Sequence, residues 1–135
     1  MRFESRHLSE RIDRPAGEVY EFAVEPANLP RWAPGLGTGV EQVDGQWFVQ
    51  GPMGRVGLAF AARNELGVLD HDVTLPSGEV VYNPLRVIAD GEGCEIVFTL
   101  RRRAGMSDAE FERDAAAVRG DLARLKRVLE APNGA

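Results

Sequence analysis

Cysteine is almost missing from this sequence: Cys94 is the single one among 135 residues. One thiol cannot close an intramolecular disulfide, build a Cys-rich zinc module or hold a cysteine-ligated cluster, and it fits a reducing cytoplasm. Long apolar runs are missing as well, the longest being a few residues against the roughly 18 to 20 that a membrane helix requires. The opening Met1-Arg2-Phe3-Glu4-Ser5-Arg6-His7 is charged from the start, where an export signal carries a continuous apolar core. The expectation is a cytoplasmic protein with no stable membrane insertion. Base is in deficit: 16 Lys and Arg stand against 21 Asp and Glu, a net charge of −5. With no basic groove interleaved with aromatics, nucleic acid is not an expected partner. Repeats, low-complexity tracts and linkers are absent, so residues 1–130 read as one domain and 131–135 as a flexible tail.

A chain of this length buries roughly two thirds of the surface its unfolded form exposes, so it needs neither disulfide nor metal to stay folded. Its clearest element is C-terminal. Ser107-Asp108-Ala109-Glu110 matches the capping box, in which serine and glutamate satisfy each other's orphan amides. From there Phe111, Ala115, Val118, Leu122, Leu125 and Leu129 recur at spacings of four and three, which is one apolar stripe of a helix reaching about Glu130. Acids crowd its first turns and bases its last, as the helix dipole prefers. A helix about 35 Å long spans a molecule this size, so a single stripe along it demands a sheet wide and curved enough to wrap it.

Between Gly39 and Arg102 the sequence reads as an antiparallel meander punctuated by Asp44-Gly45, Gly51-Pro52-Met53-Gly54, Asn64-Glu65-Leu66-Gly67, Pro76-Ser77-Gly78 and Asp90-Gly91-Glu92-Gly93. If each loop holds an even number of residues, the register follows. Trp47 then opposes Gln42 and Leu58, Val49 opposes Val40 and Val56, and Leu58 and Phe60 oppose Val73 and His71. The same count puts Val80 and Tyr82 on that inward face, whereas beyond Pro84 the apolar set is Leu85, Val87 and Ala89. A one-residue bulge at Pro84 would produce this switch of parity. Ahead of the meander lie a strand over roughly Phe3 to Ile12, a short helix opened by Pro15, and a proline-bounded stretch with room for one more helical turn. The fold class is α+β.

Ile12-Asp13-Arg14-Pro15-Ala16-Gly17-Glu18-Val19-Tyr20-Glu21-Phe22, the Asn-Leu-Pro-x-Trp stretch ending at Trp32, Gly67-Val68-Leu69-Asp70-His71-Asp72-Val73 and the helix opening Gly105-Met106-Ser107-Asp108 resemble the START/Bet v 1-like (SRPBCC) superfamily, polyketide cyclase/dehydrase-like, over nearly the whole chain. The resemblance implies a helix-grip fold: a curved antiparallel sheet of about seven strands around the C-terminal helix, two short helices after the first strand, and a hydrophobic cavity between. Lipid carriers, polyketide aromatase/cyclases, oxygenase ligand-binding domains and partner-binding regulators share that fold, so it does not select among activities.

Asp70-His71-Asp72 is the one compact cluster of acid and imidazole. A strand sends neighbours to opposite faces, so the two carboxylates share an outer, solvated face and His71 joins Leu69, Val73 and Leu75 inside. That geometry does not make a metal site, and no metal or cofactor is expected. An inward imidazole suits a polar anchor in an apolar pocket, with Tyr82 one pair away. Trp32, held between prolines, suits a lid. Arg101-Arg102-Arg103 reads as a solubilising run, and Gly35-Leu36-Gly37-Thr38-Gly39 opens no helix and so no phosphate cradle. The expected partner is a small hydrophobic or aromatic molecule, lipid- or polyketide-like, held between helix and sheet by Trp32, Trp47, Phe60, His71, Tyr82, Phe98 and Val118. The alternatives are a cyclase/dehydratase-type enzyme with His71 as general acid or base and Tyr82 as proton donor or oxyanion partner, and a ligandless regulator that binds protein through the convex sheet. A homodimer is left open.

Overall fold

The computed structural model describes residues 4–35, 37–52 and 54–132. Phe3 of the expected first strand, Leu36 of the glycine-rich stretch, Met53 of its loop and residues 133–135 of the expected tail lie outside the described residues. Strand β1 (Ser5–Ile12) leads into α1 (Ala16–Ala23), a 3-10 turn (Pro26–Asn28) and α2 (Leu29–Trp32). Then come β2 (Gly39–Val43), β3 (Gln46–Gly51), β4 (Gly54–Phe60), β5 (His71–Thr74), β6 (Val80–Asn83), β7 (Leu85–Asp90), β8 (Gly93–Arg101) and the long α3 (Asp108–Glu130). Pro15 stands just outside α1 as its cap residue, where its fixed φ of −58° fits and its carbonyl accepts from Glu18 and Val19.

The capping box closes as expected: Glu110 N–H donates to the Ser107 hydroxyl at 3.1 Å and Ser107 N–H to the Glu110 carboxylate at 2.9 Å. Of the stripe, Phe111, Ala115, Leu122, Leu125 and Leu129 are buried, and Val118 is partly exposed. The stripe packs chiefly on β1, α2 and β8. Guanidiniums of Arg6 and Arg102 sit 4.7 and 5.9 Å from the Phe111 ring and seal its outer side. The helix ends are pinned by Arg6 to Glu112 and by Arg14, whose Nε donates to the Leu129 carbonyl.

The strands form a three-stranded sheet, β1-β8-β7, and a five-stranded meander, β2-β3-β4-β5-β6. Through β4 and β5 the register is the one the alternation predicts: Val40↔Val49, Trp47↔Leu58, Val49↔Val56, Leu58↔Val73 and Phe60↔His71. The next strand departs from it. Asp72 pairs with Tyr82 and His71 with Asn83, so Val81 and Asn83 face inward while Val80 and Tyr82 face out, 56% and 48% exposed. The cause is the Pro76-Ser77-Gly78 connection. Leu75 and Glu79 close it through Leu75 N–H to Glu79 O, leaving three residues in the loop, with Gly78 at φ +94°. An odd loop of this kind ends in a left-handed residue and moves the strand's parity by one.

No bulge is then needed at Pro84. Val81, Asn83, Leu85 and Val87 form one unbroken inward series, and Pro84 is where the chain leaves β5 as partner and takes up β8. The strand expected as one is thus β6 plus β7, which gives eight strands in place of seven. The two sheets also meet along a seam, with Leu69 N–H donating to Leu85 O and Val87 N–H to Gly67 O. Gly67 has φ +77°, and a Cβ there would lie 2.2 Å from the Val87 carbonyl oxygen, so only glycine fits.

Candidate ligand cavity

A cavity of about 140 Å³ opens where α2 and α3 face the inner side of β4 to β8. Its walls are apolar in the main: Leu58 and Phe60 from β4, Val73 from β5, Leu85 from β7, Phe98 from β8, and Val118 and Leu122 from α3. Four groups with polar atoms interrupt them: Trp32, His71, Asn83 and Asp121. A void of about 150 Å³ lined by aliphatic and aromatic side chains holds one benzene ring, so this volume suits a single ring.

His71 reaches the cavity because β5 alternates, placing its ring between Phe60 (5.2 Å between centroids) and Phe98 (6.3 Å). Its Nδ1 lies 3.0 Å from the Leu69 carbonyl oxygen. A carbonyl only accepts, so Nδ1 carries the proton. Burial pushes the imidazole pKa below its usual value, opposed by the Leu69 bond and by Asp70 and Asp72. The ring is therefore neutral at pH 7, and Nε2 carries a lone pair.

Asp121 enters the wall one turn along α3 from Val118. Burial raises its carboxyl pKa to about 6, and Arg124, 3.2 Å away, limits the rise. The same guanidinium donates to the Trp32 carbonyl at 3.2 Å, so one arginine ties α2 to α3. Trp32 is 5% exposed, and its indole Nε1 is buried with no hydrogen-bond partner among the described residues. A buried donor without an acceptor costs roughly 1 to 3 kcal/mol.

Of the residues expected to line a pocket, Trp32, Phe60, His71, Phe98 and Val118 do line this one. Trp47 does not; it borders an open groove of about 720 Å³ that meets the cavity at Leu58 and Phe60. Tyr82 lies on the opposite face of the sheet, where its hydroxyl donates to Asp70 at 2.6 Å. Asp70 in turn is not solvated: it is 8% exposed beneath Arg86, which donates twice, at 2.8 and 2.7 Å, while Leu85 N–H donates at 2.9 Å. The Arg86 bonds hold its carboxyl well below the usual range against the opposing effect of burial. Asn83 and Asp121 are polar cavity residues that the alternation and stripe arguments do not single out. Asn83 was hidden by the parity of the Pro76–Gly78 loop, whereas Asp121 was visible three residues from Val118 on the stripe's own face.

Among the described residues no three His, Cys, Asp or Glu side chains are grouped so as to hold a metal ion, and no helix is long and apolar enough to cross a membrane. The family described as polyketide cyclase / dehydrase and lipid transport matches residues 6–130. The chain belongs to this family. The polyketide cyclase / dehydrase and lipid transport family falls in the Bet v 1 (SRPBCC) class, and solved structures agree. XoxI from Bacillus cereus superposes with a TM-score of 0.72 at 12% identity, over 91% of this chain and 93% of that one. Norcoclaurine synthase from Thalictrum flavum gives 0.68 at 12%, over 96% and 95%. BexL, a di-domain ARO/CYC of the BE-7585A biosynthetic pathway, gives 0.67 at 18%, over 96% of this chain and 48% of that one. Identities this low speak for the helix-grip fold alone. No curated protein matches the chain.

Proposed function

We propose that this member of the polyketide cyclase / dehydrase and lipid transport family binds a small aromatic or otherwise compact apolar molecule in the cavity between α3 and the sheet. One observation carries the reading: a void of about 140 Å³ walled by Leu58, Phe60, Val73, Leu85, Phe98 and Leu122, with an imidazole set among them. Few polar groups in an apolar wall orient a ligand without paying heavily for desolvation. A lipid chain or several fused rings exceed this volume and need the adjoining groove, where Trp47 stands. The cyclase reading is left with His71 and loses Tyr82, which is on the other face.

Methyl NMR of the full chain titrated with toluene tests the proposal. Saturable shifts at Val73, Leu85, Val118 and Leu122, with Val40 and Val80 silent, are expected. No shift at these four methyl groups up to the solubility limit of toluene overturns the reading in favour of a ligandless interaction module.

A further inference from the structure

Resting on that reading, we infer that the cavity selects a single ring bearing a neutral hydroxyl, a hydroxyarene, and that His71 is the residue that recognises it by accepting a hydrogen bond from the hydroxyl.

Leu69 O fixes the proton on Nδ1, so the other ring nitrogen, at the distal tip of the side chain, can only accept. Nothing among the described residues donates to it. Asn83 is its cross-strand partner and shares the cavity wall, yet makes no bond with it. A ligand hydroxyl supplies the donor that this nitrogen lacks. A methyl ether or a bare hydrocarbon cannot donate and leaves Nε2 unmet.

Charge narrows the class further. Asp121 is the ionisable acid on the wall, and the cation nearest it, Arg124, is already shared between Asp121 and the Trp32 carbonyl. A carboxylate ligand would meet one acid and an accepting imidazole with no free cation on the wall residues, so anions are rejected. The groups facing His71 are Phe60, Phe98, Asn83 and, across the cavity, Asp121; none is cationic. Volume closes the argument, since about 140 Å³ takes one ring and a substituent oxygen, not two rings.

Four probes of similar size test this: phenol, anisole, toluene and benzoate, measured by NMR titration on the wild-type protein and on His71→Leu. Phenol is expected to bind about tenfold tighter than anisole, and benzoate not at all. The 15N resonance of His71 Nε2 should move upfield with phenol and stay put with anisole, a readout that needs no variant. In His71→Leu the preference for phenol over anisole should vanish while toluene still binds. If toluene and anisole bind wild type as well as phenol does, or if the preference survives His71→Leu, the hydroxyarene inference fails and the apolar cavity stands. If benzoate binds as tightly as phenol, the charge argument fails. If none of the four binds, the cavity reading itself is lost.

Discussion

The Tyr82 hydroxyl and the Asp70 carboxylate meet at 2.6 Å on the outer face of the sheet, over the seam where β7 joins the segment leading into β5. Arg86 and the Leu85 amide complete the cluster, so one carboxylate collects bonds from Tyr82 of β6 and from Leu85 and Arg86 of β7, on either side of Pro84. It fastens the two sheets at the point where the proline removes a backbone donor. Removing the acid leaves the Leu85 amide without its partner and Arg86 without its counter-charge.

Asp70→Asn is therefore expected to cost about 2 kcal/mol at pH 7. The folded-state pKa lies below the unfolded value near 3.9, so this stabilisation is present above about pH 4 and fades as pH falls further. Urea unfolding at pH 7, 4 and 3 should show the gap between wild type and variant closing in acid. A gap that stays constant would mean that the carboxylate's charge is not what holds the seam. Tyr82→Phe should leave toluene binding unchanged, because the phenol is outside the cavity.

Asp121 has the opposite sign. Its folded pKa, about 6, exceeds the unfolded value near 3.9, so the stability it contributes is fully present below about pH 4 and is lost as pH rises to about 6, after which it is constant. Asp121→Asn should raise stability relative to wild type by roughly 1 to 2 kcal/mol more at pH 7 than at pH 4. Equal differences at the two values would show that the carboxyl is solvated.

Leu122 is 2% exposed and stands on both the helix stripe and the cavity wall. Leu122→Ala should cost roughly 2 to 5 kcal/mol and enlarge the cavity, so that naphthalene, too large for wild type, binds the variant. A loss below about half a kcal/mol would put the stripe at the surface.

Gly67→Ala should destabilise by more than about 2 kcal/mol, since the new Cβ would collide with Val87 O at a left-handed φ. Gly120→Ala is the contrast: it lies inside α3 with nothing within 4 Å of a built Cβ, and should stabilise by roughly 0.5 to 1 kcal/mol. Thermal or denaturant unfolding of the pair reads both signs in one experiment.

Much of this architecture is legible in the sequence because its signals are local. The spacing from Phe111 to Leu129 is a helix's own period, and Asp44-Gly45, at φ +51° and +80°, is the two-residue turn that pairs Val43 with Gln46. Phe60, His71 and Phe98 follow from alternation on strands whose loops are even. The exchange of Tyr82 for Asn83 on the wall turns on a single residue of loop count: Pro76-Ser77-Gly78 absorbs three where the alternation needs an even number. Asp70 was misjudged because its burial comes from Arg86 and Tyr82, partners 16 and 12 residues away that no local pattern couples to it.

β1 pairs along its length with β8, from Ser5↔Arg101 to Ile12↔Cys94, so every rung of that ladder joins residues 82 to 96 apart in the chain. Closing so large a loop consumes entropy before any contact repays it. The meander can form hairpin by hairpin, but β1, the element α3 packs against most, is in place only once it has found β8. Folding should accordingly take milliseconds to seconds, well behind helical proteins of the same size. The void between helix and sheet should therefore form late, once β1, β8 and α3 have come together.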